Sequence, residues 1–90
     1  MKRPIHKILV SPFFEKNFER LPERVQRLAE KKEMLFREDA FHPLLKTHQL
    51  SGELKGTWAY SVNREYRVHF YFLNNNSVVY VDIGTHEIYK

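Results

Sequence analysis

The 90-residue sequence contains no cysteine and only three glycines, and these absences exclude several classes of protein. Without cysteine, neither a disulfide framework nor a thiolate metal site can form. No glycine-rich phosphate loop is present, so nucleotide-cofactor chemistry has no binding motif. No run approaches the roughly 18 apolar residues of a membrane span, and the N-terminus has no signal-peptide pattern. We therefore expect a soluble, cytoplasmic protein that needs no cofactor.

Basic residues outnumber acidic ones, with 15 lysines and arginines against 11 aspartates and glutamates, which gives a net charge of +4. An excess of this size suggests a polyanionic partner such as nucleic acid, although an ordinary solubilising surface explains it equally well. Aromatic residues make up 14% of the chain, and at this length they must supply most of the core. The length predicts one domain over residues 1–90.

The order of apolar patterns in the first half predicts a strand followed by two helices. The apolar, β-branched run Lys7–Val10 predicts a short strand, after which Ser11 can cap a helix and Pro12 can occupy its first turn. Helical spacing of apolar residues predicts this first helix and, after Pro22, a second helix over 23–37. The short connection predicts a helical hairpin, and the residues that follow, 39–48, are predicted to form an extended loop.

The second half alternates between apolar and other residues with a period of two, which predicts strands. Three such runs, separated by asparagine-containing turns, cover residues 54–62, 66–72 and 77–83. The sequence therefore predicts an α+β fold with a short N-terminal strand, a helical hairpin and an antiparallel three-strand meander. These strands would form one sheet with the helices on one face, leaving the other face free to carry a site.

Four basic residues recur at helical spacing and are candidates for contact with a phosphate backbone: Arg20, Arg24, Arg27 and Lys31. We refer to these four residues as the basic stripe and expect it on the second helix. The alternative is a solvated helix face on which Glu23 pairs with Arg27. The spacing alone leaves both interpretations open.

Candidate chemistry is concentrated in two histidines and one strand arginine. The five histidines show no H-E-x-x-H or His-x-His spacing, so a metal site has little support. His48 and His86 lie in polar stretches, where an imidazole can exchange protons near neutral pH or can simply be a surface residue. Arg67 interrupts an aromatic strand, and its guanidinium needs either a carboxylate of this chain, such as Asp82 or Glu65, or a ligand phosphate.

Three segments together resemble the RelE/ParE superfamily of bacterial toxins. They are the glycine- and tryptophan-containing segment 50–61, the Glu-Tyr-Arg-Val segment 65–68 and the closing segment 82–89. The match covers essentially the whole chain, and the Gly-Thr-His-x-x-Tyr sequence of 84–89 is its most specific part. Within the superfamily, the chain resembles the histidine-bearing branch of messenger-RNA interferases.

This resemblance implies a type II toxin that cleaves messenger RNA in the ribosomal A site without a metal. It also implies a cognate antitoxin as partner, in a toxin–antitoxin hetero-oligomer, and no membrane partner. RNA supplies its own nucleophile, the 2′-hydroxyl, so cleavage needs a group to remove its proton, a group to protonate the departing 5′-oxygen, and a cation at the phosphate. The alternatives are a ParE-like inhibitor of DNA gyrase without nuclease activity and a non-catalytic RNA-binding module.

The resemblance also implies roles for individual residues. Arg67 would stabilise the phosphate, and His48 and His86 would transfer protons, with acid and base left unassigned. Tyr89 would hold or stack a nucleotide, although packing of the chain end is its alternative. The candidate second cations near the phosphate are Lys46 and Lys55. The basic stripe would contact ribosomal RNA or an acidic antitoxin.

Overall fold

The computed structural model of the chain describes residues 2–52 and 56–85. Its elements, in chain order, are β1 (Lys7–Val10), α1 (Pro12–Glu19), α2 (Glu23–Glu38), a 3-10 helix (Pro43–Leu45), β2 (His48–Gln49), β3 (Trp58–Ser61), β4 (Tyr66–Asn74) and β5 (Ser77–Thr85). The strands form one sheet in the order β1-β5-β4-β3-β2, in which β1 runs parallel to β5 and the other neighbours are antiparallel. This confirms the predicted α+β fold.

The helix starts follow the predicted capping pattern. The Ser11 hydroxyl oxygen accepts a hydrogen bond from the backbone N–H of Phe14 at 3.0 Å, as an N-cap does. The same hydroxyl donates to the carbonyl of Val81 at 2.9 Å, which ties the start of α1 to β5. The side-chain amide of Gln26 donates to the carbonyl of Phe18 at 2.9 Å and so joins α2 to the end of α1.

The core lies between α2 and one face of the sheet, which we call the helix face and define by Tyr60, Val68, Phe70 and Tyr80. The fully buried ring of Phe36 lies 4.6 Å from the ring of Tyr60 and 4.9 Å from that of Phe70, centroid to centroid. The hydroxyls of Tyr60 and Tyr80 lie 2.7 Å apart and are hydrogen-bonded to each other, and Glu33 is a further partner of the Tyr80 hydroxyl. Burial raises the pKa of both phenols, so both stay protonated.

The prediction of an extended loop over 39–48 is wrong, because this segment contains the 3-10 helix and β2. The fixed φ of Pro43 suits a helical first turn, and the His42 Nδ1 accepts from the N–H of Leu44 at 3.1 Å. Leu45 is fully buried and anchors the turn to the core. Lys46 ends it in the left-handed conformation, with φ of 51°.

The prediction that Arg20 belongs to the second helix is also wrong. Arg20 is the C-cap of α1, and its backbone N–H bonds the carbonyl of Asn17 at 3.2 Å. Pro22 disfavours a helical residue before it, so α2 starts afresh at Glu23. The basic stripe is therefore divided between two elements. Among the described residues, no helix combines the length and apolar character needed to cross a membrane.

Candidate active site

The face of the sheet opposite the helix face carries the residues with candidate chemistry. Successive strand residues point to opposite faces of a sheet. Arg67 and His69, which flank Val68 in β4, therefore face away from α2. Directly paired residues of adjacent strands share a face. We call this surface the histidine face, and it comprises His48, Ala59, Ser61, Arg67 and His69.

One row of paired residues brings two histidines and an aspartate into line across four strands. His48 pairs with Ala59, Ala59 pairs with His69, and His69 pairs with Asp82. With strands about 4.8 Å apart, the Cα atoms of the two histidines lie about 10 Å from each other. Only the methyl group of Ala59 stands between the two imidazole-bearing strands in this row.

His69 is the residue of this row that sequence reasoning missed. It is only 4% exposed, and its burial lowers the pKa of the imidazole, an effect that His48 reinforces and the Asp82 carboxylate opposes. A buried imidazole of this kind is neutral near pH 7. The alternation of the strand could have identified it. His69 lies two residues after Arg67 on the same strand, and residues two apart share a face.

His48 lies on the exposed edge strand, and the backbone fixes its tautomer. Its Nδ1 lies 3.0 Å from the carbonyl oxygen of Lys46. A carbonyl oxygen only accepts, so Nδ1 carries the proton of this bond, and Nε2 carries the lone pair in the neutral ring. The left-handed conformation of Lys46 turns its carbonyl toward the ring two residues later. In this tautomer His48 can act as a general base through Nε2.

Arg67 is held by the turn that connects β3 to β4. Its Nη1 donates to the carbonyl oxygens of Asn63 at 2.6 Å, of Tyr66 at 3.1 Å and of Arg64 at 3.3 Å. Neither of its direct register partners fills space near it, because they are Ser61 on β3 and Gly84 on β5. The guanidinium is thus anchored at one end of the sheet between two small neighbours.

An open cleft of about 350 Å³ lies at this end of the sheet. Its lining includes four basic residues, Lys32 from α2, Lys46 from the segment before β2, Arg64 from the turn and Arg67 from β4. None of the described residues that line it is acidic. Four like charges around one concave surface favour a polyanionic ligand, and the guanidinium and ammonium groups match phosphate oxygens. We call this surface the basic cleft.

Solved structures with the same fold include bacterial toxins. The toxin–antitoxin complex RelBE2 from Mycobacterium tuberculosis aligns with a TM-score of 0.77 at 15% identity over 94% of this chain and 95% of that one. A YoeB/ParE toxin from Agrobacterium tumefaciens aligns with a TM-score of 0.75 at 16% identity over 90% and 99%. A histidine-to-glutamine mutant of YafQ from Escherichia coli aligns with a TM-score of 0.69 at 20% identity over 90% and 93%. The chain has the RelE/ParE toxin fold.

The fold resemblance predicted from the sequence is therefore confirmed by structure rather than by sequence similarity. No protein-family model matches the sequence, and no curated protein is significantly similar to it. At these levels of identity the likeness establishes the RelE/ParE toxin fold itself.

On this RelE/ParE toxin fold, some of the predicted site residues lie at the basic cleft and others do not. Lys46 and Arg67 line the basic cleft, and His48 is joined to Lys46 by its ring hydrogen bond. The basic cleft also contains Lys32 and Arg64, which sequence reasoning did not single out because neither interrupts a pattern. Three predicted residues lie outside the described part of the chain: Lys55, His86 and Tyr89.

The basic stripe does not reach the basic cleft in this structure, since none of its residues lines it. Arg27 forms exposed ion pairs with Glu30 at 3.5 Å and with Glu23 at 3.9 Å, as the solvated-face interpretation predicts. Exposed pairs of this kind are weak, so they leave Arg27 available to exchange partners. Within residues 2–52 and 56–85, no three histidine, aspartate or glutamate side chains are placed to hold a metal ion together.

Proposed function

We propose that this chain is the toxin of a type II toxin–antitoxin system, and that it is a ribosome-dependent endoribonuclease cleaving messenger RNA in the A site. The observation that carries the proposal is the basic cleft, which Arg67 and Lys46 line, with His48 beside it because its ring is hydrogen-bonded to the carbonyl of Lys46. The shared fold with bacterial toxins supports the same conclusion. Cleavage would inhibit translation and need no metal.

We propose a distinct task for each described residue of the site. His48 Nε2 takes the proton from the 2′-hydroxyl, whose oxygen then attacks the adjacent phosphorus. Arg67, with Lys46 beside it, stabilises the negative charge that builds on the phosphate oxygens. The bond from phosphorus to the 5′-oxygen breaks, and the departing oxygen takes a proton. The products are a 2′,3′-cyclic phosphate and a 5′-hydroxyl end.

Three further roles rest on the family resemblance. We assign His86 the proton donated to the 5′-oxygen, Tyr89 the stacking of a nucleotide, and Lys55 a second cation at the phosphate. With His48 proposed as the base, His86 is the proposed acid. The basic stripe, which lies away from the basic cleft, would contact ribosomal RNA as part of substrate docking. The stripe's contribution should weaken steeply with salt, as phosphate contacts do.

An antitoxin partner follows from the same proposal. The RelBE2 structure is of a toxin–antitoxin complex. The present chain leaves several large apolar side chains exposed, among them Phe13 at 59%, Met34 at 69% and Leu44 at 61%. Large exposed apolar side chains can mark a surface that a partner covers. A partner segment that covers such residues would form the hetero-oligomer in which the toxin is held inactive.

The proposal is tested with purified protein and ribosomes programmed with a defined messenger RNA. We expect cleavage within the A-site codon, a 2′,3′-cyclic phosphate at the new end, and no cleavage when the nucleotide before the scissile bond is 2′-deoxy. Cleavage of the 2′-deoxy transcript would contradict attack by the 2′-hydroxyl. Growth arrest with intact transcripts and accumulated cleaved DNA would instead identify a gyrase inhibitor. The absence of both effects would leave only a binding module.

A further inference from the structure

The turn between β3 and β4, residues 62–65, is built around one side chain. The Asn63 Oδ1 accepts hydrogen bonds from the backbone N–H groups of Glu65 and Tyr66, both at 2.8 Å. This arrangement is an Asx-type turn, in which the side chain substitutes for a backbone acceptor and fixes the local conformation. The turn is closed further by the N–H of Val62, which donates to the carbonyl of Tyr66 at 2.9 Å.

The backbone carbonyl of Asn63 is the point at which this turn meets the candidate active site. It accepts from the Ser61 hydroxyl at 2.8 Å and from Arg67 Nη1 at 2.6 Å, a shorter distance than those from Nη1 to the carbonyls of Arg64 and Tyr66. The side chain of Asn63 thus fixes the turn, and the carbonyl of the same residue holds the guanidinium. Ser61 and Arg67 are also direct register partners, so the three residues form one local unit.

We propose that Asn63 is a positioning residue that orients Arg67 in the basic cleft before substrate arrives. This inference rests on the proposed function, because it concerns how Arg67 meets the phosphate. An arginine side chain is flexible in isolation and loses much freedom when it is fixed. A guanidinium that is already held by its own turn loses little further freedom on binding, and this preorganisation favours the transition state. Asn63 itself need not touch the RNA.

The fold supplies a matched control at the other end of the same strand. Asn74 closes the β4–β5 turn, where its Oδ1 accepts from the N–H of Asn76 at 2.9 Å. Asn63→Ala and Asn74→Ala therefore each remove one Asx-type side chain from a turn of β4. Only the first of them is bonded to Arg67. Any effect of a weakened turn on the fold as a whole should be shared by the two variants.

The first experiment compares cleavage by the two variants on programmed ribosomes under single-turnover and saturating conditions. We expect Asn63→Ala to lower kcat by about 10- to 100-fold with KM changed less than about threefold, since the guanidinium is misplaced in the transition state. Asn63→Asp, which keeps the side-chain acceptor, should recover most of kcat. Asn74→Ala should match the wild type. If both alanine variants lost activity in proportion to their loss of Tm, the role would be merely structural and the proposal would be overturned.

The second experiment does not depend on RNA cleavage. The side-chain N–H resonances of isotope-labelled arginines are recorded by NMR, with Arg67 assigned by its loss in Arg67→Lys, and inorganic phosphate is titrated as the probe. A sharp, slowly exchanging Arg67 signal that shifts with phosphate is expected in the wild type and in Asn74→Ala, and a broadened signal in Asn63→Ala. An equally sharp signal in Asn63→Ala would refute the positioning role, even if the wild type cleaved no RNA. The ordered signal with no cleavage by the wild type would refute only the proposed function.

Discussion

The two faces of the sheet use the same strands for different purposes. On β4, Val68 and Phe70 point to the helix face and are fully packed against the core, whereas Arg67 and His69 alternate with them and point to the histidine face. The helix face is a cluster of apolar and aromatic side chains whose two buried hydroxyls are hydrogen-bonded to each other. The histidine face instead places cationic and titratable groups beside residues as small as Ala59.

This difference teaches that stability and chemistry are separable in a domain of this size. Adjacent residues of one strand contribute to one or to the other, because the side-chain period of two sends them to opposite faces. Substitutions on the helix face should therefore change the free energy of unfolding and leave the catalytic rate per folded molecule unchanged. Substitutions of Arg67 and His48 on the histidine face should lower the catalytic rate and change stability little, whereas the buried His69 on the same face also contributes to stability.

The largest expected effect is on the helix face, where Phe36 contacts three aromatic rings and is 0% exposed. Phe36→Ala should lower the free energy of unfolding by about 3–5 kcal/mol, because it removes buried surface and leaves a cavity. Phe36→Leu should lose much less. Urea unfolding followed by circular dichroism measures both. A loss below about 1 kcal/mol for the alanine variant would show that packing on this face contributes little to the free energy of unfolding.

The next effect is on the histidine face and concerns the proposed base. His48→Ala should lower kcat for cleavage about 10²- to 10⁴-fold, the range expected for loss of a general base, because no nitrogen is left to take the 2′-hydroxyl proton. Its stability should change by no more than about 0.5 kcal/mol, since the side chain is exposed. His6→Ala is the control, as His6 is exposed and far along the chain from the basic cleft. Equal activity of the two variants would remove His48 from the mechanism.

A smaller effect is expected from the buried tyrosine pair. Tyr60→Phe removes the hydroxyl that lies 2.7 Å from that of Tyr80, and it should cost about 0.5–1.5 kcal/mol of stability, because the Tyr80 hydroxyl keeps Glu33 as a second partner. The double variant, with Phe at both positions, loses the shared bond only once, so its loss should be smaller than the sum of the two single losses. Thermal unfolding of the four proteins in this double-mutant cycle gives the coupling. Additive losses would mean that the two hydroxyls do not depend on each other.

The smallest effect concerns the pH dependence that His69 contributes to stability. Burial lowers the pKa of His69 in the folded protein below the ordinary value of 6.5, with His48 acting in the same direction and Asp82 opposing it. Between the folded and unfolded pKa values, the unfolded chain binds more protons, so stability falls as pH falls below about 6.5. His69→Leu should flatten this part of the stability curve, whereas His6→Ala should leave it intact. An unchanged slope in His69→Leu would show that another group causes it.

Much of the fold could be predicted because it depends on local patterns. The N-cap of α1 and the break at Pro22 are set by residues close in sequence. The alternation in β4 also placed Arg67 on a definite face. The 3-10 helix and β2 escaped prediction because a two-residue strand has no period, and β2 exists only where β3 offers an edge. The parallel pairing of β1 with β5 depends on contacts about 70 residues apart in the sequence.

For the candidate site, the sequence suggests residue types, and their roles stay predictions, but it does not reveal the contacts that hold them. The sequence suggested a carboxylate, such as that of Asp82 or Glu65, as one partner for Arg67. In the structure, its Nη1 donates to backbone carbonyls in and beside the β3–β4 turn. Every residue has a backbone carbonyl, so the residue type does not predict which carbonyl accepts the bond. The tautomer of His48 could not be predicted either, because it depends on the backbone carbonyl of Lys46, a residue in the left-handed conformation.

The most direct test of the account is the cleavage rate of Arg67→Ala on programmed ribosomes, measured with its Tm and beside the exposed control Arg37→Ala. Arg67 lines the basic cleft, is bonded to the β3–β4 turn, and is the proposed cation at the phosphate. We predict a loss of about 10²- to 10³-fold in kcat, as for other groups that stabilise transition-state charge, with Tm close to that of the wild type. A rate within threefold of the control, or a loss fully explained by unfolding, would contradict the claim that the histidine face carries the chemistry.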